Sequence, residues 1–185
     1  MDGCADSHTA RTEGAPSLNL LCRLVIIFIE SIFRRRLHPL SESVLNLTVL
    51  PNDLDLNLHM NNGRFLSIMD LGRLDLLIRT DLAKVLLQHR WQPLVGAVNI
   101  RYKQSLLPFQ RYRLRTKVIG WDEKWFYIEQ RFERKNRTIA VALIKAVFRG
   151  PRKNVTPEDT LKLIHVNIDP PAMPDKVLKW LSMEA

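Results

Sequence analysis

Pro51-Asn-Asp-Leu-Asp-Leu-Asn-Leu-His-Met-Asn-Asn-Gly-Arg-Phe65 is the stretch that decides how this chain is read. Asp53, Asp55, Asn57, His59 and Asn61 alternate with Leu54, Leu56, Leu58 and Met60. An extended backbone would therefore place the polar side chains on one face and the apolar ones on the other. Polar neighbours on such a face stand about 7 Å apart, two strand rises, close enough to act on one small reacting group. A solvated edge strand is the plainer account of the alternation, but Asp and Asn are depleted from strands and suit it poorly. The run closes on Asn61-Asn62-Gly63 ahead of a long apolar segment, an ending that reads as a helix start.

Outward from this stretch, residues 62–80 read as a central helix and 81–88 as its continuation or a second short helix. Phe65, Leu66, Ile68, Met69, Leu71, Leu74, Leu76, Leu77 and Ile78 make the central segment apolar on nearly every side, so it must be enclosed. Upstream, residues 44–50 read as a first strand. Downstream, β-rich runs at 94–105, 111–120, 125–134 and 138–148 are separated by Pro108, the Gly120-Trp-Asp-Glu123 corner and the Lys135-Asn-Arg137 corner. One long helix packed on an antiparallel sheet is the economical solution, and pattern alone defines an α+β class.

Asp55-Leu-Asn57-Leu-His59-Met-Asn61-Asn62-Gly-Arg-Phe65 resembles the Asp-x-Asn-x-His-x-Asn-Asn-x-x-Tyr signature of the hotdog-fold thioesterases, most closely the plant acyl-ACP thioesterases and single-domain thioesterase-like proteins. The match is dense and ungapped, and the element order from about residue 43 to 149 is the one that family requires. The resemblance implies a hotdog fold, a long central helix wrapped by a five- to six-stranded antiparallel sheet. It also implies an enzyme, an acyl thioester hydrolase acting on acyl-CoA or acyl-ACP, assembled as a homodimer or a multiple of dimers with sites at the interface. No cofactor is implied beyond the coenzyme A or acyl carrier protein that forms part of the substrate. One departure is clear: the plant enzymes carry a Glu-Cys pair on a strand after the central helix, and Ile100-Arg-Tyr-Lys-Gln-Ser-Leu106 offers neither residue.

On this resemblance Asp55, Asn57 and His59 are the expected catalytic residues. Asp55 would attack the thioester carbonyl or take a proton from the attacking water, and Asn57 and His59 would orient that water or polarise the carbonyl. Backbone N–H groups around Asn62 and Gly63, at the positive end of the central helix, are expected oxyanion donors. Asn61 and Asn62 also suit a structural role in fixing the helix start. Plainer roles stand beside these: a turn or cap for Asp55, and a hydrogen bond from loop to helix for His59. Asp70 is a rival acid on the central helix, although it can pair with Arg73 three residues on. Arg101 and Lys103, together with Arg149, Arg152 and Lys153, are expected to meet coenzyme A phosphates or an acidic carrier face, or to be simple surface charge.

With 185 residues, 46% of them hydrophobic, the chain suits one well-packed domain. Four segments are expected: a mobile tail over 1–16, an amphipathic helix over 17–36, the thioesterase domain over 43–150, and an extension over 151–185 with short helices. In the helix, Asn19, Arg23, Glu30 and Arg34 form a polar stripe, while Leu20, Leu24, Ile27 and Phe28 share the other side and Arg34-Arg35-Arg36 ends it. It is short for a membrane span and lacks signal-peptide flanks, which leaves docking on the domain or peripheral membrane contact. The extension carries a cap signal at Thr156 and a helical segment at 174–183.

Cys4 and Cys22 suggest no disulfide framework and fit a reducing, cytoplasmic setting. A net charge of +9 favours anionic partners but selects none, and no nucleic-acid motif accompanies it, so no nucleic-acid partner is expected. Scattered histidines give no metal-ligand spacing, and a Gly-x-Ser-x-Gly elbow is absent. Carboxylate-driven hydrolysis remains, with a non-catalytic acyl-binding or membrane-associated hotdog module as the alternative.

Overall fold

The computed structural model describes residues 18–166 and 168–184, with Leu18 and Asn19 described by backbone alone. The tail expected over 1–16 lies outside these residues. Helix α1 (Leu18–Phe33) leads to strand β1 (Ser43–Thr48), a 3-10 turn (Pro51–Asp53), the central helix α2 (Asn62–Arg79) and helix α3 (Leu82–His89). Strands β2 (Gln92–Tyr102), β3 (Arg111–Trp121), β4 (Phe126–Arg134) and β5 (Arg137–Arg149) follow. The two-residue β6 (Asn154–Val155) and helices α4 (Pro157–Leu163) and α5 (Asp175–Glu184) complete the order.

The sheet runs β1-β3-β4-β5-β2, antiparallel throughout, with β6 added to β5. Because β1 and β2 occupy opposite edges, the chain between them must cross the sheet, and α2 is that crossing. Phe65, Ile68, Met69 and Leu71 of α2 pack into one core with Leu114, Phe132 and Ile144 of the strands. At Gly72 the helix comes so close that an added Cβ would meet Thr116 Oγ1 at 2.6 Å and Gln130 Nε2 at 2.7 Å. Gln130 occupies this contact as a satisfied buried polar group: its Nε2 donates to the Met69 carbonyl and to Thr116 Oγ1, each at 2.9 Å, and its Oε1 accepts from Arg73 at 2.8 Å.

Helix α2 is enclosed over most of its surface as expected, with Leu66 and Asp70, one turn apart, left exposed. Residues 81–88 are not a continuation of α2. Asp81 adopts φ 61°, a left-handed conformation that breaks the helical path and starts α3 on a new axis. The cap signal in the extension is met, with Thr156 accepting from the Asp159 N–H at 3.1 Å at the start of α4. Val177 and Trp180 of α5 are buried, and Lys145 to Glu184 ties that helix to β5 at 3.0 Å.

Helix α1 docks on the domain by a face that mixes the two expected sides. Leu20 and Ile27 of the apolar side pack against the core, Arg23 and Arg34 of the polar stripe turn inward, and Glu30 of that stripe is exposed. Arg23 Nη2 donates to the Thr48 carbonyl and to Asp53, each at 2.8 Å, Ser31 donates to Asp75 at 2.7 Å, and Arg34 reaches Asp75 at 3.2 Å. Ile27 alone of the expected apolar side is buried, at 4% exposure, whereas Leu24 and Phe28 face outward beside Leu21, Val25, Ile29 and Ile32. The basic end is also partly committed, because Arg34 serves Asp75 and Arg36 pairs with Asp81 at 3.4 Å.

Candidate active site

Pro51 fixes its own φ and Asn52-Asp53 favour a turn, so the chain leaves the extended path at the start of the decisive stretch. The single polar face expected for Asp53, Asp55, Asn57, His59 and Asn61 does not form. Asp53 turns inward to 2% exposure, where its carboxylate accepts from the Leu50 N–H at 2.9 Å and pairs with Arg23 at 2.8 Å and Arg64 at 3.2 Å. Its carbonyl accepts from the Asn61 N–H at 2.8 Å. Leu54 and Met60 form an antiparallel bridge, and the residues between them close a tight reversal with Leu58 at φ 57°. Leu56 and Leu58, read as sharing one apolar face with Leu54 and Met60, are exposed while Met60 is buried.

Asp55 organises this reversal. Its Oδ1 accepts from the Asn57 N–H at 2.9 Å and the His59 N–H at 3.1 Å, and its own N–H donates to the His59 carbonyl at 2.8 Å. Among the described residues Oδ2 of Asp55 has no hydrogen-bond partner. His59 is half-buried and Asn57 exposed on the same turn. The Met60 N–H donates to the Leu106 carbonyl at 2.8 Å, which ties the reversal to the segment after β2.

Asn61 is the N-cap of α2, and its Oδ1 accepts from the Gly63 N–H at 2.8 Å. That bond revises the expected oxyanion donors: the Gly63 N–H is occupied, and the Asn62 N–H is the first-turn donor that lacks an intrahelical acceptor. The same Asn61 oxygen would lie 3.2 Å from a Cβ on Gly63, so the bare α-carbon serves the cap. The Asn62 carbonyl accepts from Tyr102 Oη at 3.1 Å, and Tyr102 stacks edge-on to Phe65 at 5.2 Å. Arg101 and Lys103 flank Tyr102 with exposed side chains. Asp70 pairs with Arg73 as its spacing suggested, and burial pulls the Arg73 guanidinium below its usual pKa.

Arg23, Asp53, Arg64 and Tyr102 support the loop; the alternation reading placed Asp53 on a polar face and missed the other three. The turn signal of Pro51-Asn-Asp was the local clue to Asp53. Tyr112 lies close enough to feel the charges of Arg23, Asp53 and Arg64, and burial pushes its phenol well above the ordinary range. Among the described residues, no group of three or more His, Cys, Asp or Glu is placed to hold a metal ion. Along α2 and the strands lies an apolar cavity of about 310 Å³, lined in part by Leu71, Leu74, Leu77, Val118, Phe126 and Phe148, with Leu24 of α1 at its wall.

A sequence profile described as the thioesterase-like superfamily matches residues 49–181, and the chain belongs to that family. Protein THEM6 of Danio rerio is 37% identical over 119 residues, 63% of this chain and 59% of that protein. A probable thioesterase of Saccharomyces cerevisiae is 29% identical over 126 residues, 66% of this chain and 54% of that protein. The chain thus spans less than two thirds of either relative. Among solved structures, the YbaW probable thioesterase of Escherichia coli superposes with a TM-score of 0.61 at 22% identity, covering 66% of this chain and 97% of that one. The fold is the hotdog fold.

Proposed function

We propose that the protein hydrolyses acyl thioesters at the loop that leads into α2. The carrying observation is Asp55, which has one carboxylate oxygen fixed by two backbone N–H groups and the other unengaged. A carboxylate held in this way keeps its orientation without spending both oxygens, as a general base or nucleophile requires. Water adds to the thioester carbonyl, the thiol leaves with a proton, and a carboxylic acid is the other product. Asn57 and His59 orient the water, and the Asn62 N–H at the positive end of α2 meets the developing oxyanion. Family membership supports this reading. A screen of acyl-CoA chain lengths that follows free thiol release tests it, and no release from any substrate would sink it.

The acyl chain is assigned to the apolar cavity, whose volume falls in the range of small-molecule sites. That cavity begins near Asp70, about 12 Å along α2 from Asn62 at 1.5 Å per residue, so the thioester and the chain end are served by different parts of one helix.

The edge strand β2 supports a homodimer. Among the described residues this strand of 11 residues pairs with β5 alone and leaves Leu94, Val95 and Val98 exposed. A long apolar edge invites pairing, and a second copy of the same strand covers it in a closed two-fold assembly. Sedimentation is expected to give a dimer or a multiple of dimers. A fully active monomer would contradict it.

Peripheral membrane contact is assigned to α1. No helix among the described residues is long and apolar enough to cross a membrane. However, α1 turns Leu21, Leu24, Val25, Phe28, Ile29 and Ile32 outward as one stripe, and stable monomeric proteins rarely leave such a patch bare. Flotation with vesicles is expected for the full chain and lost on Val25→Glu/Phe28→Glu/Ile32→Glu substitution. No flotation of the full chain on anionic vesicles at low salt would exclude the contact.

A further inference from the structure

The turn between β4 and β5 carries a charge arrangement that thioester hydrolysis at Asp55 does not use. Arg134 and Lys135 line two polar hollows, one on each side of the turn. Arg111 and Arg113 border the first, and Arg137, Gln104 and Ser105 border the second. Glu133 is the one acid in either lining, and Arg115 Nε already holds it at 2.7 Å. Arg111, Arg134, Lys135 and Arg137 make no ion pair among the described residues.

Two features show that the fold keeps these cations at a local cost. Arg134 stands directly opposite Arg137 in the strand register, a like-charge pairing that disfavours the hairpin. Lys135 and Asn136 both take left-handed conformations, with φ 47° and 60°. A turn of that kind favours Asn-Gly, and Lys is a strained choice at its first position. An anion bound between the hollows relieves the repulsion.

We propose that these hollows bind the phosphates of coenzyme A, the carrier part of the substrate. The inference rests on the thioester hydrolase reading and names the carrier. Arginine forks match phosphate oxygens, and the Ser105 hydroxyl and Gln104 amide supply further donors in the second hollow. Two concave polar sites suit a compact polyanion better than a protein face, whose docking needs an apolar centre. The placement also fits. Lys103 and Gln104 donate to the Ile139 carbonyl at 2.8 and 3.2 Å, and two residues on the Leu106 carbonyl accepts from Met60 in the catalytic loop. One short segment therefore joins the phosphate hollow to the loop that holds Asp55. Arg149 ends β5, roughly 40 Å from Arg137 along an extended strand, and with Arg152 and Lys153 after it does not share this site.

The test measures binding of coenzyme A and of pantetheine to the full chain by calorimetry, beside hydrolysis of acyl-CoA and of the acyl thioester of N-acetylcysteamine. Arg134→Gln/Lys135→Gln/Arg137→Gln is expected to weaken coenzyme A binding and raise KM for acyl-CoA by about tenfold or more, the loss of several charge-assisted bonds. Pantetheine binding, kcat and turnover of the N-acetylcysteamine substrate should not change. A second variant, Lys135→Asn, relieves the turn and should raise stability while it lowers coenzyme A affinity, which separates charge from folding. Unchanged coenzyme A affinity in both variants overturns the proposal. A KM effect confined to acyl-carrier-protein substrates also overturns it and makes the surface a protein dock. Binding of coenzyme A that depends on these residues, without hydrolysis of any thioester, supports the site and removes the hydrolase reading instead.

Discussion

Asp55→Asn is expected to lower turnover on acyl thioesters by roughly 10² to 10⁴ fold, the range for losing a positioned base or nucleophile. The substitution isolates chemistry from architecture. An Asn oxygen still accepts from the Asn57 and His59 N–H groups, so the reversal between Leu54 and Met60 persists while the unengaged anionic oxygen is lost. Circular dichroism and the sedimentation profile should match the parent protein. Parent-level turnover in the variant would refute the assignment. Asp70→Asn provides the control, on the helix α2 that follows the loop. Asp70 lines the apolar cavity and is paired with Arg73, so its removal should cost less than the loss of Asp55. Equal losses at both positions would bring the helix acid back as the catalytic group.

The strands and α2 were legible because their signals are local. Pro108 and the 120–123 corner separate apolar runs of strand length, and Asn61 ahead of a Leu-rich segment announces a capped helix. The site was legible as a stretch but not as a shape. Strict alternation is a property of extended backbone, and Pro51 and the left-handed Leu58 take the chain out of that state. Asp53 therefore became a buried anchor rather than a member of a polar face. Its partner Arg23 lies 30 residues upstream, a separation that periodicity does not register.

Helix α1 failed in a different way. Amphipathic reading assumes that the whole apolar side faces the core, whereas here buried carboxylates at Asp53 and Asp75 draw Arg23, Ser31 and Arg34 inward beside Leu20 and Ile27, and Leu24 and Phe28 are left facing out. The like-charged pair across the β4–β5 turn was visible only as a corner, because its meaning depends on register.

Asp75 is where the largest loss of stability is expected. It is wholly buried at 0% exposure and joins three elements. Ser31 of α1 and Arg34 just after it meet Oδ1 at 2.7 and 3.2 Å, while Ser43 of β1 and Arg79 of α2 donate to Oδ2, the latter at 3.3 Å. A buried ion pair adds little over a well-packed apolar replacement, but removing one partner alone leaves an uncompensated charge and costs about 3 to 5 kcal/mol. In Asp75→Ala the Arg79 guanidinium, 8% exposed, becomes that charge, and the Ser43 hydroxyl loses its acceptor while Ser31 keeps the Ile27 carbonyl. For a chain of this size the expected fall in Tm is roughly 6 to 20 °C. Urea unfolding should show a lower midpoint, and a shift below about 1 kcal/mol would refute the anchoring role. Because the same carboxylate holds α1 against α2, amide protons of residues 20–33 should exchange faster in the variant at temperatures where the sheet is still folded. Turnover per folded molecule should not change, since none of the four partners of Asp75 belongs to the loop around Asp55.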